Sequence, residues 1–85
     1  MQIKPNPPIK PAAVRDLGLA AALVSLDFVV YEMQKDHETR TYFIFASTPS
    51  LEAAVSDYWA NSLIVKARAY SDNMKMLKSR IYGGK

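Results

Sequence analysis

Few side chains in this sequence could carry out chemistry, and each lacks the company that chemistry would need. His37 is the single histidine, set between Asp36 and Glu38, and there is no cysteine. A metal site wants further ligands at fixed spacing and geometry, and none stands near it, so His37 reads as a solvated turn residue. Asp16, Asp27, Glu52 and Asp57 could act as general acids or bases. They have no nucleophile, metal partner or glycine-rich phosphate loop beside them, so they read as helix caps and surface charges. No catalytic, metal or cofactor-binding residue is assigned, no cofactor or small-molecule substrate is expected, and the chain is read as a non-enzyme.

Two features point to binding instead. Residues 1–65 carry five Lys/Arg and seven Asp/Glu, whereas residues 66–85 carry six Lys/Arg against Asp72 alone. Lys66, Arg68, Lys75, Lys78 and Arg80 therefore form a basic segment that could meet nucleic-acid phosphates or acidic proteins. A helix also needs solvated charge on its outer face for no further reason. Tyr58 and Trp59 could stack bases beside such a track, although helical spacing makes them core anchors first, Tyr58 more clearly than Trp59.

The second feature is the run Arg40 to Ser47. Side chains alternate across a strand, so Thr41, Phe43 and Phe45 share one face and Tyr42, Ile44 and Ala46 the other. Both faces are apolar. One can lie on the protein's own helices, while the other asks for a further helix, a partner chain or exposure. Tyr42, Phe43, Ile44 and Phe45 are accordingly the candidate protein interface. Self-association, most simply as a dimer, is expected through this hairpin or through the helices.

The elements that position these residues follow from pattern. Met1 to Ala13 holds four of the five prolines and is expected to be a flexible or semi-extended arm. Its Pro5-Asn6-Pro7-Pro8-Ile9-Lys10 matches a proline-rich ligand pattern, which chance also supplies in such an arm. Val14, Leu17, Ala21, Val24 and Phe28 recur at helical steps and predict a helix from Val14 to Asp27. Phe28 to Lys35 is rich in β-branched and aromatic residues and predicts a strand, joined to the next through the polar Asp36-His37-Glu38-Thr39.

Thr48-Pro49 opens a second helix, with threonine as N-cap and proline at the first position. Leu51, Ala54, Val55 and Tyr58 form its inward stripe. It fades near Ala60-Asn61-Ser62, leaving Leu63-Ile64-Val65 as an apolar connector. Ala67, Tyr70, Met74, Leu77 and Ile81 predict a third helix to Tyr82, ended by Gly83-Gly84 in a left-handed conformation. The expected fold class is α+β: one domain over residues 14–82, order α-β-β-α-α, an antiparallel hairpin packed against three helices, with residues 83–85 as a tail. A strand followed by two helices outlines the ribbon-helix-helix DNA binders, but a groove-reading ribbon needs a polar face that Tyr42, Ile44 and Ala46 do not supply.

Composition sets the frame. Hydrophobic residues make up 49% and charged residues 22% of 85, which excludes disorder over most of the length. A chain this short buries only about 60–65% of its unfolded surface, which favours self-association. The longest apolar run, Leu17 to Leu26, falls well short of the roughly 20 residues that span a bilayer, and prolines stand where a signal peptide would be apolar. A cytoplasmic location without membrane contact is expected.

Four motifs in order, Asp16-Leu17-Gly18-Leu19-Ala20-Ala21, Tyr42-Phe43-Ile44-Phe45, Asp57-Tyr58-Trp59-Ala60-Asn61 and Leu77-Lys78-Ser79-Arg80-Ile81-Tyr82, resemble the DUF5659 family of small bacterial and phage-related proteins. The resemblance covers roughly residues 13–82 and implies the domain limits. If the protein is phage-encoded, as the resemblance suggests, the expected location is the host cell's cytoplasm; the resemblance carries no functional residues. The leading expectation is a protein-interaction or regulatory module, and the alternative is a nucleic-acid-binding accessory protein that uses the basic helix.

Overall fold

The structure, a computed structural model, describes residues 10–36 and 40–83. Three helices and three strands follow in the order β1 (Pro11–Val14), α1 (Leu17–Ser25), β2 (Glu32–Lys35), β3 (Thr41–Ala46), α2 (Pro49–Trp59) and α3 (Ala67–Gly83). The expected α-β-β-α-α series is present, with one strand added ahead of it. The fold is α+β. Residues 1–9, the hairpin tip with His37, and residues 84–85 lie outside the described residues.

The added strand comes from the end of the expected proline arm. Pro11–Val14 pairs antiparallel with β3 in the register Pro11↔Ala46 to Val14↔Phe43. β2 pairs with the other side of β3, from Glu32↔Ile44 to Lys35↔Thr41. The sheet order is therefore β1-β3-β2, with β3 in the middle. Val14, which helical periodicity assigned to the first helix, closes β1 instead. The helix starts later because the Asp16 carboxylate accepts from the Leu19 N–H at 2.8 Å, which fixes Asp16 as an extended N-cap.

α1 is buried on every side. Leu19, Ala20, Ala21, Ala22 and Leu23 are 0–5% exposed, and five successive residues at about 100° each cover all faces of a helix. A helix apolar all round belongs inside a fold, and α1 touches β1, α2 and α3. Its alanines let those neighbours approach closely. Ser25 Oγ donates to the Ala21 carbonyl at 2.7 Å and accepts from Asn73 Nδ2 at 2.9 Å, a relay that ties α3 to α1.

Two helices end in the same way without glycine. After α1, Asp27 has φ 72, its N–H donates to the Val24 carbonyl at 2.9 Å, and the Phe28 N–H donates to Leu23 at 3.0 Å. After α2, Asn61 has φ 61, its N–H donates to Tyr58 at 3.0 Å, and Ser62 donates to Asp57 at 2.8 Å. This is the Schellman pairing, with Asp and Asn in the left-handed position that glycine usually fills. α3 runs through Gly83, and no described glycine has positive φ; Gly84, the other glycine expected to end this helix, lies outside the described residues.

The turn at Asp27 also explains a short strand. Phe28 seals α1, and Phe28 and Val30 pack against the core while Val29 is 52% exposed. Regular pairing therefore begins at Glu32 rather than at Phe28, although the Tyr31 N–H already reaches the Ile44 carbonyl at 2.8 Å.

α2 begins as the sequence predicts, with Thr48 Oγ1 accepting from the Leu51 N–H at 3.1 Å and Pro49 in the first turn. Val14, Phe43 and Phe45 from the sheet join Leu19, Leu23, Leu51, Ala54 and Leu77 from the helices in one core. The three helices thus meet one face of the sheet.

Candidate functional site

The candidate interface on β3 is where the structure departs most from the sequence reading. Phe43 and Phe45 are 1% and 0% exposed and belong to the core, and Ile44 is 5% exposed. Tyr42 is half-buried, and its hydroxyl donates to Asp36 Oδ2 at 3.4 Å. Three of the four residues are already covered within the chain, so they present no free docking surface. Only two strands were foreseen around these residues, and β1 turned β3 into a central strand.

The basic residues lie where expected. Lys66 precedes α3, Arg68, Lys75, Lys78 and Arg80 are on it, and all five are exposed. No side-chain hydrogen bond or ion pair of these five is present among the described residues, while the Lys66 carbonyl accepts from the Tyr70 N–H at 2.9 Å. Arg68, Asp72 and Lys75 share the outermost strip of the helix by their spacing, so an acid interrupts the basic face.

The carboxylates are not brought together. Asp16 and Asp27 cap opposite ends of α1, Glu52 accepts from Ser47 Oγ at 3.1 Å, and Asp57 is exposed on α2. Among the described residues no group of three or more metal-ligating side chains gathers. No described helix is long and apolar enough to cross a membrane.

What the fold does assemble is a groove of about 710 Å³ between β1 and α2. Ala12, Ala13, Val14, Arg15 and Asp16 form one wall, and Leu51, Glu52, Val55, Ser56 and Trp59 form the other. The two walls run side by side. Ser47, just ahead of α2, bonds to Lys10 at the start of β1, and Tyr58, near the end of α2, reaches Asp16 beyond the end of β1. Glu52 therefore stands at the Lys10 end, and Arg15 and Trp59 stand at the other.

Beyond the Asp16 end of the groove, the Tyr58 and Tyr70 hydroxyls crowd over Gly18. A Cβ there would lie 2.6 Å from Tyr58 Oη, 3.1 Å from Tyr70 Oη and 3.3 Å from Asp16 Oδ1. Gly18 permits this approach by having no side chain. Burial first, then the negative charge of Asp16 and the neighbouring Tyr70 hydroxyl, raise the Tyr58 pKa above its ordinary value. Tyr58 also meets Trp59 edge to face, with ring centroids 5.0 Å apart. The anchor role expected for Tyr58 is what it has, while Trp59 is 63% exposed and borders the groove.

β1 also has an edge that no described strand pairs with. The Ser47 N–H donates to the Lys10 carbonyl at 2.8 Å, and these residues stand opposite each other when the register of Pro11↔Ala46 is extended by one. Bonded and non-bonded pairs alternate in an antiparallel ladder. Ala12 and Val14 therefore bond to β3, and the backbone groups of Pro11 and Ala13 point outward. Pro11 sits where its missing N–H costs the ladder nothing. Pro11-Ala12-Ala13 carries no strand signal of its own, which is why the sequence concealed this edge and the groove beside it.

No curated protein and no solved structure is similar enough to the chain to match it. A family model does match, over residues 12–83, which is β1 to the end of α3. The chain belongs to DUF5659, a family defined by a domain of unknown function.

Proposed function

We propose that this protein is a non-enzymatic protein-interaction module with a regulatory role, and that its partner binds in the groove between β1 and α2. The observation that carries this reading is the conjunction of a strand edge unpaired among the described residues with an apolar groove and an exposed tryptophan. Leu51 and Val55 line the groove, and Trp59 stands at its rim. Aromatic residues of this kind anchor many interfaces, and a strand edge supplies main-chain hydrogen bonds. With no cysteine, the fold needs no oxidising compartment, and we place the module in the cytoplasm.

The test is selection of peptides from a random displayed library, followed by mapping of amide chemical shifts. Selected peptides should perturb residues 11–16 and 51–59. Failure to enrich any peptide, or shifts confined to α3, would sink the reading.

The five exposed cations of the α3 region favour a second reading, a nucleic-acid-binding accessory protein. Anisotropy titrations with single-stranded DNA, duplex DNA and RNA at two salt concentrations distinguish it. Binding that falls steeply with salt and is lost in a Lys75→Glu/Lys78→Glu variant would establish phosphate contacts, and absence of binding at low salt would leave these cations as a solvated face.

A further inference from the structure

We infer that a second cleft, where the end of α2 and the connector after it meet α3, is a binding site for a quaternary ammonium group of the choline type, held against the rings of Tyr58, Trp59 and Tyr70. This cleft is distinct from the groove beside β1, and the inference does not rest on the interaction-module reading. It has a volume of about 420 Å³, within the span of about 300–1,000 Å³ of small-molecule sites. Asn61, Leu63 and Val65 complete its lining together with Ala22 of α1. Trp59 is exposed, so its ring stands at the mouth.

Ring geometry selects the ligand's shape. Tyr58 and Trp59 meet with centroids 5.0 Å apart and planes at 85°, so their faces form a corner rather than parallel walls. A flat aromatic ligand stacks against parallel faces, whereas a compact tetrahedral head can touch two perpendicular faces at once. Tyr70 adds a third ring.

The lining selects the charge. Aromatic faces attract cations, and clusters of rings recognise quaternary ammonium groups in this way. Among the described residues no lysine or arginine lines the cleft to repel a cation, and no carboxylate lines it to favour an ammonium that carries N–H groups. Asp57 and Lys66, next in sequence to lining residues, are exposed and of opposite sign. The Tyr58 hydroxyl bonds to Asp16, outside the lining, and donation to a carboxylate makes the ring richer in electrons. Asn61 supplies an amide for a hydroxyl on the ligand's tail.

The experiment titrates the full chain with choline and with its neutral isostere, in which a tert-butyl group replaces the trimethylammonium head, and follows the NMR signals of the three rings. Choline should shift these signals and bind about tenfold more tightly than the isostere, the range of one or two cation–π contacts. Trp59→Leu should weaken choline about fivefold or more, and because Trp59 is exposed this variant tests the ring without touching the core. Tyr70→Leu should do the same, while Tyr70→Phe, which keeps the ring, should restore the affinity.

Equal affinity for choline and the isostere overturns the inference. So do the absence of choline binding, shifts away from the three rings, and affinity retained in both leucine variants. Phosphocholine distinguishes a lipid headgroup from the free alcohol: with no cation on the lining to hold a phosphate, tighter binding of phosphocholine than of choline overturns the inference as well. Failure of peptide selection leaves this site standing, and failure of choline to bind leaves the interaction module standing.

Discussion

β3 and β1 lie side by side and use their backbones oppositely. β3 spends both rows of hydrogen-bonding groups on its neighbours and turns Phe43 and Phe45 into the core. Among the described residues β1 spends one row, and its outward residues are proline and alanine. The difference is positional rather than chemical: an aromatic, β-rich strand placed centrally becomes structure, and a weak strand at the edge is left with something to offer. Hydrophobicity alone pointed to β3 as the surface for partners, whereas unpaired backbone points to β1.

The sharpest way to break this contrast is in the centre. Phe45→Ala should destabilise the protein by about 3–5 kcal/mol, measured by urea denaturation, enough to threaten folding in a chain of this size. A loss under about 1 kcal/mol would mean that β3 is not the core strand.

Proline substitutions test the alternation itself. Ala12→Pro removes a ladder donor and leaves the Phe45 carbonyl without it, at a cost of about 1–3 kcal/mol. Ala13→Pro should cost far less, since its N–H faces outward. Equal losses in thermal melts would show the register to be wrong.

Beyond the groove's Asp16 end, Gly18→Ala forces Tyr58 from its place over α1 and should cost about 1–2 kcal/mol in the same melts. In the opposite direction, Asp27→Gly should stabilise by up to about 1 kcal/mol, because glycine takes positive φ without strain. A loss of stability there would show that the Asp27 side chain matters more than its backbone.

The smallest effect is alkaline. A tyrosine whose folded pKa is raised contributes fully below its unfolded value near 10, and that contribution is lost as pH climbs from there through the folded value. Stability should therefore fall above pH ~10, and less steeply in Tyr58→Phe. Identical slopes would remove Tyr58 from the account.

Much of the fold was legible because local chemistry dictates it. Thr48-Pro49 marked the start of α2, Ala60-Asn61-Ser62 its end, and the stripe through Leu77 predicted α3 to within a residue. The aromatic β3 was legible for the same reason. The Asp27 turn was not, since aspartate adopts positive φ only where neighbouring bonds hold it there. α1 was misplaced at its start because Val14 fits both a helical stripe and a strand end, and a helix buried on all faces has no stripe to read.

By itself, then, the sequence determined the three helices, the two strands of the hairpin, the α+β class, and the basic character of α3, because propensity, capping and charge are local properties. Tertiary structure alone decided that Pro11–Val14 is a strand, that the apolar face of β3 is already covered, and that Arg15 and Glu52 stand at opposite ends of one groove. Those facts depend on pairing between segments some thirty residues apart, such as Val14 with Phe43, and no local signal in Pro11-Ala12-Ala13 announces its partner.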